Sequence, residues 1–216
     1  MNNPKIKNLL IAGSIFIIGV TIIWQSCDSD RSVFSPTDSQ RKGTQPLVMK
    51  GGDPYIRALM RTISRSESNY NRPYNVIYGG KYVEDLSQHP NKCQPILAGP
   101  NKGNCSTAAG RYQFINTTWA EKAKRYHSHP PGLLFWKTYS FEPQYQDQVM
   151  YNWLNDPQSW NGKDIKALLR QGEINQVLCM LSPTWTSLPC GIEINFNTKN
   201  LPDTYRKMLE DEEQKR

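Results

Sequence analysis

The clearest hydrophobic pattern in the chain lies in residues 53–67, where apolar side chains recur at helical spacing. Four residues form one stripe on this segment: Ile56, Leu59, Met60 and Ile63. Asp53 can cap the first turn with its side chain, and Pro54 has no amide hydrogen that would be left without a partner there. The pattern therefore predicts an amphipathic helix that begins after Asp53.

Glu67 lies one turn beyond this stripe and on the same face, close to the C-terminal end of the predicted helix. Partial burial and the negative end of the helix dipole both disfavour an ionised carboxylate, so both raise its pKa. A carboxyl that stays protonated near neutral pH can act as a general acid. The alternative is an ordinary exposed Glu at a frayed helix end, because structural groups also have shifted pKa values.

Further patterns predict an α+β domain that is mainly helical, with one small β-hairpin lobe. Two β-rich runs, 74–78 and 81–83, are joined by Gly79 and Gly80 and predict the hairpin. Thr118 and Glu121 have capping-box spacing at the start of the next helix. Later helices are predicted at 143–155, 164–170, 173–181 and 202–214. Residues 84–109 lack a regular pattern and are expected to form a long functional loop.

The N-terminal region has a different composition from the rest. Residues 9–25 are mostly apolar and follow two lysines, so we expect a transmembrane anchor with residues 1–8 in the cytoplasm. No small-residue cleavage site follows, although a signal-peptide core is the alternative, and lipidation of Cys27 stays open. Polar residues 26–52 are predicted to be a flexible linker to a domain at 53–216. This arrangement implies a single-pass protein of the inner (cytoplasmic) membrane whose domain lies in the periplasm or faces the cell wall.

The 216 residues carry a formal net charge of +7, which favours an anionic partner such as a membrane surface or an acidic wall polymer. Nucleic acid is not expected, because the basic residues are scattered and no RNA-binding or zinc-finger signature is present.

Besides Cys27, the chain has four cysteines: Cys93, Cys105, Cys179 and Cys190. In an exported domain they predict disulfides, and three pairings are possible. The local pairing, Cys93 with Cys105 and Cys179 with Cys190, is favoured. Zinc is the competing interpretation, but no Cys-x-x-Cys pair supports it, so neither a metal nor another cofactor is expected.

The order of motifs resembles a known family. A helix that ends in Glu precedes a hairpin at 74–80, and the segments 85–90, 106–113 and 179–189 follow, each similar to a segment of the bacteriophage lambda endolysin-like lytic transglycosylases of the lysozyme-like superfamily. The similarity spans roughly 55–189. It implies a lysozyme-like fold and cleavage of the β-1,4 bond between N-acetylmuramic acid and N-acetylglucosamine in peptidoglycan.

The resemblance also implies roles for individual residues. Glu67 falls on the family's catalytic Glu, and one carboxyl serves as acid and then as base. The expected substrate-binding residues are Tyr112, Gln113, Asn75, Ser106, Thr107 and Trp185. Asn75 stands where the family has an acidic residue. An Asn at this position can still form hydrogen bonds, but it carries no charge.

Three functions remain open. The first is a membrane-held lytic transglycosylase that opens the wall locally, for example for a trans-envelope apparatus. The second is a hydrolytic muramidase that uses Asp85 as a second carboxylate, although Asp85 also fits a surface turn. The third is an inactive wall-binding or scaffold protein, which the replacement at Asn75 motivates.

Overall fold

The computed structural model describes residues 43–132, 138–193 and 195–215. This part of the chain contains six α-helices: α1 Pro54–Glu67, α2 Asn116–Tyr126, α3 Pro143–Leu154, α4 Ile165–Arg170, α5 Ile174–Leu181 and α6 Leu201–Glu213. Its one sheet has two antiparallel strands, β1 Gln94–Pro95 and β2 Cys105–Ser106, with Gln94 opposite Ser106. Short 3-10 helices occur at Pro73–Asn75, Tyr78–Gly80, Pro157–Trp160 and Thr198–Asn200.

Helix α1 runs through the core and positions Glu67 at its C-terminal end. Its start is as predicted, with the Asp53 side chain accepting a 3.0 Å hydrogen bond from the Tyr55 amide. The helix packs mainly against α6 and also contacts α3 and α4. Buried Glu212 of α6 accepts hydrogen bonds from Arg57 and Arg61 at 2.5 and 2.8 Å. Because both arginines neutralise the buried carboxylate, α1 and α6 are held together by charge as well as by apolar packing.

The predicted helices are present with small shifts at their ends, with one difference in capping. Helix α2 begins at Asn116, and the residue before it, Ile115, makes no capping hydrogen bond with its side chain. Thr118 is therefore the third residue inside the helix, so the predicted capping box is wrong. The hydroxyl of Thr107, distant in sequence, accepts a 3.1 Å hydrogen bond from the Asn116 amide instead.

The predicted hairpin at 74–83 is much smaller than expected. Gly79 and Gly80 both have positive φ, as a tight hairpin turn requires. Only one bridge pairs the flanking segments, between Val76 and Tyr82, because the chain enters a 3-10 helix at Pro73–Asn75. The two-stranded sheet lies instead within 84–109, the stretch that was predicted to be loop.

Both predicted local disulfides are present. Cys93–Cys105 closes the segment that contains the small sheet, with its Cα atoms 5.3 Å apart. Cys179–Cys190 joins α5 to the loop that follows it, with a Cα separation of 5.1 Å. The second bridge therefore restrains the backbone between Ser182 and Pro189.

The end of the predicted linker is packed against the domain. Leu47 is buried, Asp147 accepts hydrogen bonds from the amides of Val48 and Met49, and Arg111 donates to the carbonyl of Pro46. The packed region thus includes residues 43–52, and the boundary predicted at residue 53 moves toward the N-terminus.

The rest of the predicted linker, residues 26–42, the predicted cytoplasmic segment 1–8 and the predicted anchor 9–25 lie outside the described residues. Within the described ranges, each helix is too short or too polar to span a bilayer.

Candidate functional site

Glu67 is the last residue of α1, and its side chain is half-buried. Loss of solvent around the carboxyl is the largest influence and raises its pKa to about 7, while a hydrogen bond from Ser187 opposes this rise. The negative charge of Glu193 adds a smaller upward effect. Near neutral pH the carboxyl therefore exists in both its protonated and its ionised form. A group that acts first as an acid and then as a base needs both forms.

The loop after α5 brings Ser187 to Glu67. The Ser187 hydroxyl donates a short hydrogen bond to Oε1 of Glu67. The loop is fixed on both sides of Ser187, since Leu188 is fully buried and the indole nitrogen of buried Trp185 donates a 3.0 Å bond to the Tyr112 carbonyl. A Cβ at Gly191 would lie 2.1 Å from the Thr186 carbonyl oxygen, so this close turn requires glycine.

Three further polar residues surround this contact. Ser66, which precedes Glu67, has its hydroxyl oxygen 2.7 Å from that of Ser187. The Asn195 side chain donates to the Ser66 hydroxyl and carbonyl at 3.3 and 3.2 Å. The Thr198 hydroxyl donates to the Ser187 carbonyl at 2.8 Å. The carboxyl of Glu67 is thus held by a polar cluster that joins α1 to the segment between α5 and α6.

Glu193 is the acidic group whose charge acts on Glu67. It is exposed, and its Oε2 accepts a 2.9 Å hydrogen bond from the Thr186 hydroxyl. Its amide also donates to the Thr186 carbonyl at 2.9 Å. These two bonds attach Glu193 to the residue beside Ser187, so the loop carries a second carboxylate toward the candidate site.

Two of the residues predicted to bind substrate are structural. Tyr112 is fully buried, and its hydroxyl donates a 2.6 Å hydrogen bond to Asp147. Trp185 is 4% exposed and packs against Trp153 and Trp160. Neither ring offers a face to a sugar, so both predictions are corrected to core positions. Trp153 is likewise a core residue, with 4% of its surface exposed.

Gln113 and Asn75 are half-buried and use their amide groups to hold turns. The Gln113 side chain donates a 2.9 Å bond to the Gly110 carbonyl, and Asn75 donates a 2.8 Å bond to the Val83 carbonyl. Gly110 has φ of +72°, and a Cβ there would lie 2.2 Å from the Gln146 side chain. These contacts support the local backbone, and sugar binding by Gln113 and Asn75 stays a prediction.

Ser106 and Thr107 lie together beside the small sheet. They line an open cavity of about 640 Å³ with the side chains of Asn101, Asn104, Ile115 and others. The Thr107 hydroxyl donates a 3.0 Å hydrogen bond to the Asn116 side chain. Among the described residues, Glu67 is not part of this lining. The cavity combines amide and hydroxyl groups with an apolar side chain, a composition suited to a carbohydrate.

Asp85, the predicted second carboxylate, occupies an exposed turn. Its Oδ1 accepts a 2.9 Å hydrogen bond from the Ser87 amide, and bonds from Ser87 hold the pKa of Asp85 below its usual value. Neighbouring Glu84 pairs with Arg72 on the surface at 2.6 Å. These are the environments of a turn-stabilising carboxylate and a surface ion pair, so the turn interpretation of Asp85 is favoured over a catalytic one.

Sequence reasoning missed Ser187, Ser66, Asn195 and Glu193. Ser187 lies inside the segment 179–189 that carries the family resemblance, which was the available signal for it. The other three have no periodicity or motif that distinguishes them, because Ser66, Asn195 and Glu193 are brought to the Glu67–Ser187 contact by the way the chain returns to the end of α1 after α5.

Comparisons with known proteins agree with this geometry. A family model described as Endolysin matches residues 57–209. The endolysin of Escherichia phage lambda is 31% identical over 119 residues, which cover 55% of this chain and 63% of that relative. The match thus spans less than two thirds of the relative's length.

Two solved structures share the fold. A structure of bacteriophage lambda lysozyme complexed with a chitohexasaccharide has a TM-score of 0.54 and 24% identity, covering 74% of this chain and 97% of the other. A second structure of lysozyme from bacteriophage lambda has a TM-score of 0.52 and 23% identity, covering 76% and 97%. The described domain therefore has a lysozyme-like fold, as the sequence predicted.

Proposed function

The chain belongs to the Endolysin family, and on that premise we propose that it is a lytic transglycosylase that cleaves the bond between N-acetylmuramic acid and N-acetylglucosamine in peptidoglycan. The observation that carries the proposal is Glu67, a half-buried carboxyl at the end of α1 whose pKa is raised to about 7. A group with this pKa can release and recover a proton near neutral pH.

The reaction needs one carboxyl in two states. Protonated Glu67 gives its proton to the glycosidic oxygen while positive charge develops on the muramic acid ring and the bond to that oxygen breaks. The 6-hydroxyl of the same muramic acid then bonds to its C1, and ionised Glu67 takes the hydroxyl proton. The product carries a 1,6-anhydro ring, and no water is consumed. Glu67 is protonated again at the end of the reaction, as it was at the start.

A glycan strand is the substrate that the comparisons favour. The lambda lysozyme of similar fold has been solved with a chitohexasaccharide, a chain of linked amino sugars. The net charge of +7 also suits a wall polymer that bears acidic groups. We assign the cavity beside Ser106 and Thr107 to part of this strand, because its amide and hydroxyl groups can bond to sugar substituents.

We place the protein at the inner membrane, held by the apolar segment 9–25, with its domain in the periplasm. From there it would open the wall locally for a trans-envelope apparatus. Protease added to spheroplasts should remove the domain while a cytoplasmic marker stays intact. Protection of the domain would exclude this orientation, and recovery of the whole chain in the soluble fraction would exclude the anchor.

A hydrolytic muramidase is the second candidate, and Glu193 is the observation that favours it. This exposed carboxylate is close enough to influence the pKa of Glu67 and is attached to the loop beside Ser187. A retaining or inverting hydrolase needs such a second carboxylate, as nucleophile or as the base that activates water. Asp85 has no comparable relation to Glu67.

Mass spectrometry of fragments from purified sacculi separates these candidates. A transglycosylase releases anhydro ends, lighter by one water than the reducing ends that a hydrolase releases. Glu67→Gln should abolish release of fragments, whereas exposed Glu84→Gln, the matched control, should keep it. Reducing ends would replace the proposal by the muramidase. Binding to sacculi with no fragments from the native protein would indicate an inactive wall-binding protein.

A further inference from the structure

Four side chains form a continuous line of hydrogen bonds that ends on the candidate catalytic carboxyl. Asn195 donates to Ser66 at 3.3 Å, the hydroxyl oxygens of Ser66 and Ser187 are 2.7 Å apart, and Ser187 donates to Oε1 of Glu67. A hydroxyl can donate or accept, so the middle contact alone gives the line no direction. The two ends decide which way each proton points.

The Asn195 end fixes the direction. Its Oδ1 accepts a 2.9 Å hydrogen bond from the Asn197 amide, a group that can only donate. The other side-chain atom facing Ser66 must then be the amide nitrogen, which also bonds to the Ser66 carbonyl at 3.2 Å. The Ser66 hydroxyl oxygen accepts from Asn195, and its own proton has two acceptors within reach on Ser187, the hydroxyl oxygen at 2.7 Å and the carbonyl oxygen at 3.4 Å. The carbonyl already accepts a 2.8 Å bond from Thr198, so the proton is assigned to the nearer hydroxyl oxygen.

The same reasoning gives the direction of the next hydrogen bond, from Ser187 to Glu67. Ser187 accepts from Ser66 with its hydroxyl oxygen, so the Ser187 proton is free to point at Oε1 of Glu67. Oε1 is then an acceptor in both protonation states of Glu67. When the carboxyl is neutral, its proton has to be on the other oxygen, Oε2.

We propose that Ser187, directed by Ser66 and Asn195, is a positioning residue that keeps the transferable proton of Glu67 on Oε2. The inference rests on the proposed function, since it assigns which oxygen of the acid faces the glycosidic bond. After the first transfer the same hydroxyl still donates to the ionised carboxylate. This line of hydrogen bonds therefore helps the acid step by keeping the proton of Glu67 on Oε2, and it helps the base step by stabilising the negative charge of the ionised carboxylate.

The cluster is built so that Ser187 cannot easily turn away. The hydroxyl of buried Thr198 holds the Ser187 carbonyl at 2.8 Å, and the Cys179–Cys190 bridge closes the loop that contains it. The charged group that acts on Glu67 from this side is Glu193, which raises its pKa, so removal of the neutral Ser187 hydroxyl can be separated from a change in charge.

The test is a titration of Glu67 by carboxyl ¹³C NMR, on the full chain in detergent micelles with Glu67→Gln used to assign the signal. If Ser187 donates to the carboxylate, Ser187→Ala should raise the pKa of Glu67 by roughly one unit, because the ionised form loses a bond. Ser187→Thr should restore the native value. Ser66→Ala should give a smaller rise in the same direction, because an undirected Ser187 hydroxyl spends less time on Oε1.

The direction in which the pKa of Glu67 shifts in Ser187→Ala shows which of the two residues donates the hydrogen bond. A fall in the pKa of Glu67 on Ser187→Ala would mean that Glu67 donates to Ser187, with its proton on Oε1. Either such a fall or an unchanged pKa would overturn the proposed role of Ser187. Ser182→Ala is the matched control, since the Ser182 hydroxyl in the same loop donates a 2.8 Å bond to the nearby Cys179 carbonyl and, among the residues that the structure describes, is not part of the cluster around Glu67. It should leave the titration of Glu67 unchanged. The assay on sacculi is separate: a native protein that releases no fragments refutes the proposed function and leaves the NMR result standing.

Discussion

The Tyr112 hydroxyl donates a 2.6 Å hydrogen bond to Oδ1 of Asp147, and both side chains are fully buried. The second oxygen of Asp147 accepts from the Tyr74 hydroxyl at 2.8 Å and from the amides of Val48 and Met49. A buried carboxylate is tolerated only when donors surround it. Asp147 therefore joins helix α3 to the segment around Tyr112 and to the packed N-terminal residues.

This contact predicts that Tyr112→Phe affects folding rather than catalysis. Removing the hydroxyl leaves Asp147 with one donor fewer, which should lower the free energy of unfolding by about 1–3 kcal/mol. Fragment release per folded molecule should stay close to native. Urea unfolding and the sacculus assay measure the two quantities. Unchanged stability with a large loss of turnover would mean that Tyr112 contacts the sugar after all.

Glu67→Gln should stabilise the protein, and the gain should depend on pH. The folded protein holds a proton on Glu67 up to a pKa of about 7, whereas an unfolded Glu loses it near 4.5. Between these values the native state binds more protons, so rising pH costs native stability, by about 3 kcal/mol in total. Gln carries no charge and avoids this cost. The midpoint of thermal unfolding should rise by roughly 5–10 °C at pH 8 and hardly at all at pH 4.

Glu84→Gln is the matched control for this effect. Glu84 is exposed and paired with Arg72, which holds its pKa below the usual value. Its replacement should therefore give no gain that grows with pH. If Glu67→Gln behaves like Glu84→Gln, the carboxyl of Glu67 is solvated and its assignment as a neutral acid fails.

Helix α1 and its acid could be predicted from the sequence because the information is local. The Asp53 cap, the apolar stripe and the position of Glu67 all lie within one helix, so spacing alone places the carboxyl on the buried face. The disulfides also followed from short sequence separations. The hairpin prediction failed for a local reason as well. The sequence pattern identifies the turn glycines but not the 3-10 helix that shortens the strand pairing.

The surroundings of Glu67 could not be predicted, because they depend on contacts across 120 residues or more. Ser187 bonds to Glu67 from a sequence separation of 120, and Asn195 reaches Ser66 from 129. The family resemblance places Tyr112 and Trp185 in the cleft, yet their polar atoms are used inside the core, with Asp147 and with a backbone carbonyl. Side-chain chemistry alone does not distinguish these two uses.

The two disulfides should differ in their effect on the site. Each closes a loop of similar length, with sequence separations of 12 and 11, so loss of either should cost about 3 kcal/mol of stability by loop entropy. Only Cys179–Cys190 closes the loop that holds Ser187. The double variant Cys179→Ser with Cys190→Ser should raise the pKa of Glu67 and reduce fragment release.

The matched variant, Cys93→Ser with Cys105→Ser, should lose similar stability with the titration of Glu67 unchanged. Thermal unfolding and carboxyl ¹³C NMR of both double variants provide the comparison. Equal shifts in the pKa of Glu67 would show that the bridges act only through general stability and that the Cys179–Cys190 loop has no particular role in placing Ser187.

Glu193→Gln tests whether the second carboxylate tunes the acid or takes part in the reaction. The negative charge of Glu193 raises the pKa of Glu67, so its removal should lower that pKa by a fraction of a unit. Because Glu193 is exposed, the shift should shrink as salt is added. In a transglycosylase, activity should then fall at a slightly lower pH on the alkaline side, while anhydro ends remain the product.

A muramidase that relies on Glu193 to activate water should instead lose roughly a hundredfold or more of its rate with Glu193→Gln, at every pH. Glu121→Gln is the matched control, because Glu121 is an exposed carboxylate of α2 paired with Lys122 and is not among the charges that act on Glu67. Rates measured between pH 4 and 9, with the fragment ends analysed at each pH, separate a displaced profile from a uniform loss. The two outcomes assign opposite roles to Glu193, since tuning moves the profile along the pH axis whereas catalysis lowers it throughout.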